Sequence, residues 1–209
     1  MFNNIFLIFF ILLFSKAIVA QDVKPLNDSK EFLDKIKQTA TNTNSIKAEF
    51  TEEKFSSYLK EPQKSTGVFY YKKKDKLRWE KIKPTPYIFI ADNDKIKIKE
   101  NDKEKDVSSF NSQIGRIKEM MLTLVNGEFN TNRAYAPVYF ENNEIYLIKL
   151  VPKNKRLAAI FDYIQLIVNK ENMRLKELAF FEKSGDKSIM NFFNDKVNVE
   201  ISDKLFTNF

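Results

Sequence analysis

The sequence predicts an α+β protein that is mostly antiparallel β: a curled sheet of about ten or eleven strands with two helices over its mouth. Three observations predict it. Segments of alternating apolar and polar residues recur between short turn-forming stretches along most of the chain. Only two stretches, near 28–41 and 111–125, change to helical spacing. The side chains are also large, with 20 Phe, 8 Tyr and 1 Trp against 4 Gly, a load suited to lining a wide sheet. Such a sheet seldom stays open and flat, and once curled it encloses more volume than its own side chains fill. One domain is expected over residues 21–209, long enough to bury a substantial core.

Residues 1–20 are set apart as a secretory signal peptide. Ile5 to Phe14 is an unbroken apolar run, Lys16 follows it, and Ala20 offers a small residue at the cleavage point. The run is shorter than the ~18–20 residues that a spanning helix needs. Cleavage after Ala17 is the second choice, and an uncleaved membrane anchor is the alternative reading of the run.

Composition excludes several kinds of chemistry. The chain has no cysteine and no histidine. Disulfides, thiolate metal sites, a thiol nucleophile, a cysteine-borne lipid anchor and the commonest general base are therefore absent. No metal or cofactor is expected. The net charge is +7, of which the leader contributes Lys16. Basic and acidic residues are interspersed, as in KIKIKENDKEKD, and Lys72 to Lys74 is the uninterrupted basic run within the meander. This pattern reads as solvated strand faces rather than a nucleic-acid surface.

The elements follow in order. Asp28 or Ser29 caps a first helix, with Glu31 at capping-box spacing, and Phe32, Leu33, Ile36 and Ala40 form its apolar stripe. From Ile46 the period becomes two: Ile46, Ala48 and Phe50 face one way, Lys47, Glu49 and Thr51 the other. The stretch GVFYYKKKDKLRWEKIKPTPYIFI is a β-meander, with apolar rows Phe69 and Tyr71, Leu77 and Trp79, Ile88 and Ile90. Asp92 to Asp94 is a turn, and Lys95 to Lys99 reads as a strand near a sheet edge. A second amphipathic helix carries Ile114, Ile117, Met121, Leu124 and Val125 and ends at Gly127. Strands resume at Val138. The strand Ile145 to Val151 is apolar on both faces and so expected to be central. A helical turn near Lys155, strands at Tyr163, Arg174 and Lys187, and a last strand Val197 to Ile201 complete the chain, with Leu205 to Phe209 packed back on the sheet.

The apolar rows and the second helix's stripe form either a dry core or a cavity for an apolar ligand. Periodicity alone does not separate the two. Covering one sixteen-carbon acyl chain would remove roughly 400–500 Å² of apolar surface from water, on the order of 10 kcal/mol, so a carrier for acyl chains is energetically reasonable. An enzyme would have to use carboxylates, of which Glu49, Glu52, Glu53 and Glu80 are the candidates, and no catalytic constellation accompanies them.

The order of leader, early helix, SIKAEFTEEKF, GVFYYKKKDKLRWEKIKPTPYIFIADNDKIKI, central helix and YLIKLVPK resembles the LolA family of periplasmic outer-membrane lipoprotein carriers. The most specific part is LRWE-x-x-x-P with the hydrophobic strand after it. The resemblance implies an incomplete (half) β-barrel with helices covering its concave side. It implies a periplasmic monomer whose hydrophobic interior takes lipoprotein acyl chains from an inner-membrane lipoprotein-releasing ABC transporter to an outer-membrane receptor. The expected lining is Phe50, Phe69, Tyr71, Leu77, Trp79, Ile88, Ile90, Ile117, Met121 and Leu124. Lys73 falls where the family often has an arginine that governs opening, Leu77 where it often has an aromatic used in lining or partner contact, and Trp79 on the recurring tryptophan. Lysine lacks the planar fork that holds several carbonyls at once. The alternative is a module of the same fold that senses lipid or protein without ferrying lipoproteins.

Overall fold

A computed structural model describes residues 22–93, 95–106, 118–119, 121–123, 125–129 and 133–209. The leader, and Ile114, Ile117 and Leu124 of the expected second helix, lie outside the described residues.

Among the described residues, twelve strands form one antiparallel sheet. In chain order they are β1 (Lys24–Pro25), β2 (Ser45–Phe55), β3 (Gln63–Lys72), β4 (Lys76–Lys83), β5 (Tyr87–Asp92), β6 (Lys95–Glu100), β7 (Lys103–Lys105), β8 (Tyr135–Glu141), β9 (Ile145–Pro152), β10 (Phe161–Asn169), β11 (Leu175–Glu182) and β12 (Lys187–Val197). Their spatial order is β1-β8-β9-β10-β11-β12-β2-β3-β4-β5-β6-β7, so among the described residues the terminal strands β1 and β7 do not pair and the barrel stays open. The strands beyond the expected count are short: β1 and β7 have 2 and 3 residues, too few to carry an alternation. The expected last strand is not separate. Val197 is the end of β12, and Ile201 instead joins a small cluster with Ile90 and Phe206. Nor is β9 central, since two strands, β8 and β1, lie outside it, and the outer row of β9 ends on Val151, which is 40% exposed.

Helix α1 (Lys30–Asn42) packs on the inner face of the sheet. Its buried residues Phe32 and Ile36 sit where the helical spacing placed them. The ring of Phe32 meets Tyr146 at 4.5 Å and Tyr139 at 5.7 Å between centroids. The expected capping box does not form. Asp28 Oδ1 accepts from the Lys30 amide at 2.9 Å, Ser29 is the cap residue without a side-chain bond, and Glu31 reaches forward to Lys35 at 2.6 Å. The reason is that Glu31 has a cation one turn ahead, the favourable i,i+4 order.

Among the described residues of the second helical segment, 118–119, 121–123 and 125–126 are helical. Gly127 ends it in the left-handed conformation, φ +67°, close against Ile36 of α1, where a Cβ would lie 3.2 Å from Ile36 Cγ1. This contact brings the two helical pieces together over the inner face. No helix among the described residues is long and apolar enough to cross a membrane.

Register decides which rows face inward. In β3 and β4 the paired residues Phe69 and Trp79, and Tyr71 and Leu77, are inner. Across the next ladder Trp79 pairs with Phe89 and Leu77 with Ala91, so Phe89 and Ala91 join the inner row. Ile88 and Ile90 pair with Glu80 and Arg78 on the outer face. That face is covered by the C-terminal tail, a 3₁₀ turn at Asp203–Phe206 whose Phe206 packs with Ile90 and Ile201. Polar contacts fasten the tail. Arg78, 5% exposed, donates to the Leu205 carbonyl at 3.1 Å and the Asn208 carbonyl at 2.9 Å, and its Nε reaches Glu80 at 2.8 Å. Lys72 and Lys76 both reach Asp203, at 2.9 and 3.1 Å, and hold its carboxyl below the usual carboxylate value.

Candidate functional site

A cavity of about 350 Å³ lies between helix α1, the described helical residues 121–123 and 125–126, and the inner face. Strand alternation builds its walls: Ala48 from β2, Phe69 from β3, Trp79 from β4, Leu166 and Val168 from β10, Leu178 from β11 and Phe192 from β12. Ile36 and Ala40 of α1, with Met121, Val125 and Phe129, close the opposite side. The volume falls in the lower part of the ~300–1,000 Å³ range of ligand pockets, and the lining is mostly apolar, as such pockets are. Trp79 is fixed from three sides, by Phe50 at 4.4 Å, Phe69 at 5.8 Å and Phe192 edge-on at 6.0 Å.

Of the ten residues expected to line a cavity, Phe69, Trp79 and Met121 stand on its wall. Phe50, Tyr71 and Leu77 face the same side but are packed into the core behind it, at 0%, 2% and 1% exposure. Ile88 and Ile90 are corrected: they lie under the tail on the other face, because β5 is apolar at both parities and the tail claims one of them. Ile117 and Leu124 lie outside the described residues. The sequence reading missed Val168, Met173 and Phe192. The alternation of β10 and β12 signalled buried rows there, without saying what those rows faced.

Lys73 does not line this cavity. Its Nζ donates to the Thr41 carbonyl, in the last turn of α1, at 2.6 Å, and its backbone amide donates to the Asn44 carbonyl at 2.9 Å. It borders a second, polar hollow of about 500 Å³ shared with Asp34, Lys37 and Glu128. A cation on the carbonyl end of a helix is favourably placed, so Lys73 ties the β3–β4 turn to α1.

The candidate carboxylates are dispersed. Glu52, buried on the inner side, accepts from Ser65 Oγ at 2.9 Å and pairs with Lys81, which compensates its charge. Glu80 serves Arg78, and Glu53 pairs with Lys64 at 3.1 Å. Glu49 pairs across the ladder with Val68, on the outer face. Among the described residues, no three His, Cys, Asp or Glu are grouped to hold a metal. The Tyr139 hydroxyl is buried without a hydrogen-bond partner among the described residues, and desolvation pushes its pKa up to about 12.

The described residues thus form an open antiparallel half-barrel with helices laid across an apolar hollow. The chain belongs to the LolA family: the family model for "Outer membrane lipoprotein carrier protein LolA" matches residues 41–208. It is 36% identical over 64 residues to an outer-membrane lipoprotein carrier protein of Dechloromonas aromatica, a match that spans 31% of this chain and 31% of that relative. Among solved structures, it is similar to a LolA superfamily protein from Nitrosomonas europaea, at 13% identity and a TM-score of 0.42, covering 84% of this chain and 97% of that one. It is also similar to the Pseudomonas aeruginosa MucA/MucB complex structure, at 10% identity and a TM-score of 0.46, covering 84% of this chain and 59% of that one.

Proposed function

We propose that this chain is exported, loses residues 1–20, and carries lipoprotein acyl chains through the periplasm from an inner-membrane ABC transporter to an outer-membrane receptor. It acts by binding, without bond chemistry. The observation that carries this reading is the cavity of about 350 Å³, apolar on nearly every side and roofed by helices rather than strands. A strand roof is held by ladder hydrogen bonds, whereas helices packed through side chains can lift without breaking backbone pairing. The family match over residues 41–208 supports the cargo class.

Trp79 is the only tryptophan and lines the cavity, so its fluorescence reports occupancy. Titrating delipidated protein with an acylated peptide is expected to give saturable quenching or blue shift at one-to-one stoichiometry. Met121→Lys, which sets a charge on the wall, is expected to weaken binding by about tenfold or more, because burying an unpaired ammonium opposes ligand entry. Absence of any saturable change in the unaltered protein would remove the carrier reading. Binding without release of lipoprotein from inner-membrane vesicles would favour a sensing module instead.

A further inference from the structure

One end of the cavity is not apolar. There Arg174, just before β11, and Asp195, in β12, form an ion pair through Nη1 and Oδ2, and both side chains stand on the cavity wall with 36% and 33% of their surface exposed. Their neighbours at this mouth are already engaged. Asn198 accepts from the Asn44 amide at 2.7 Å and donates to the Asn42 carbonyl at 3.0 Å, and Thr43 donates to the Thr39 carbonyl at 2.7 Å. The ion pair retains capacity. A guanidinium carries five N–H donors, and among the described residues the side chain of Arg174 gives its bond to Asp195 alone, while Asp195 Oδ1 accepts none.

The backbone is bent to place this pair. Met173, φ +57°, and Asn194, φ +51°, are both left-handed, and each immediately precedes one of the two charged residues. For Met173, a long side chain with no local polar anchor, that conformation is a true outlier. It turns Met173 onto the cavity wall beside Arg174. Asn194 sits in the register shift of β12 between Phe193 and Lys196, a bulge that turns Asp195 back to the inner side after Phe193 has pointed out.

We propose that Arg174 and Asp195 form a head-group subsite for an N-acylated peptide. The guanidinium donates to the acyl or ester carbonyls, and Asp195 Oδ1 accepts the amide N–H, both as charge-assisted hydrogen bonds. Tails then enter in one direction, with the polar junction held at the mouth between β11, β12 and the end of α1. The subsite rests on the reading of the cavity as an acyl-chain site.

The test compares two probes of equal tail length, N-lauroylglycinamide and methyl laurate, by Trp79 fluorescence on the purified protein. Only the first has an amide N–H. Arg174→Gln with Asp195→Asn is expected to weaken N-lauroylglycinamide about tenfold, the scale of losing charge-assisted bonds to both groups, and methyl laurate, which offers the guanidinium its ester carbonyl but no N–H to Asp195, by only about threefold. Asp195→Asn alone, which keeps a neutral partner for Arg174, is expected to show the same selectivity change in smaller measure with an unchanged thermal midpoint. Equal losses for both probes, or none for either, would overturn the subsite and assign the pair to fastening the β10–β11 turn. If the unaltered protein binds neither probe, the cavity reading itself fails and the subsite falls with it.

Discussion

Gly67 lies under the ring of Phe50, and a Cβ built there would stand 2.1 Å from the Glu80 carbonyl oxygen and 2.4 Å from Phe50 Cζ. One neighbour is backbone and the other is a fully buried ring, so neither yields cheaply. Gly67→Ala is therefore expected to cost about 1–3 kcal/mol or more, the scale of overpacking a filled site, read as a lowered urea midpoint. Adding Phe50→Leu should recover part of the loss, and a plain sum of the two effects would show that the ring is not the obstacle. Glu177, on the outer face, carries a pH prediction. Burial raises the pKa of Glu177, while a hydrogen bond from Gln165 at 3.3 Å opposes the rise. The folded state then holds a proton that the unfolded chain has already released, so stability falls as pH rises from the ordinary value of 4.5 through the folded-state value. Glu177→Gln should be the more stable form above that window and lose its advantage below pH 4.5 in thermal melts across pH.

At the scale of elements, the C-terminal tail shows how a local pattern and a distant segment divide the work. The stretch YIFIAD predicts a strand whichever way it faces, since Tyr87, Phe89 and Ala91 on one side and Ile88 and Ile90 on the other are both apolar rows. The tail settles the question by covering Ile90 with Ile201 and Phe206. Arg78 is its clasp. Arg78→Ala would leave the Leu205 and Asn208 carbonyls without their donor and Glu80 without its partner. The expected cost is about 2–3 kcal/mol, below the ~3–5 kcal/mol of a fully buried broken pair because Glu80 keeps some water. Limited proteolysis should then cut after Lys204 in the variant before the unaltered protein. Equal cutting rates would mean that apolar contact alone holds the tail. The capping box at α1 failed as a prediction for a comparable reason, since Glu31 had Lys35 within reach.

On the scale of the whole molecule, an open sheet of twelve strands with its ends unpaired leaves room that a closed small barrel fills with its own side chains. Whether that room is used is decided by filling it. Val168 is 2% exposed and stands on the cavity wall. Val168→Phe is expected to leave stability unchanged or raise it by ~0.5–2 kcal/mol, as cavity-filling changes do, while acyl-probe binding falls about tenfold or more. A loss of stability of ~1–3 kcal/mol would instead mark the region as an already packed core. Local pattern was enough for the strands β2 to β6 and β8 to β12, helix α1, the meander and the inward rows of β2, β3 and β4, because a period of two or of 3.6 is a local property of the chain, whereas β1 and β7 are too short to show one. It also reached Trp79, where a lone tryptophan sits in a row with one apolar side. It took the folded chain to turn Phe89 rather than Ile88 and Ile90 inward, and to bring Arg174 to Asp195 across 21 residues. Facing depends on which segment covers each side of a strand. The meeting of two charges depends on backbone turns at Asn194, a residue type that tolerates the left-handed region, and at Met173, where no residue preference announces it.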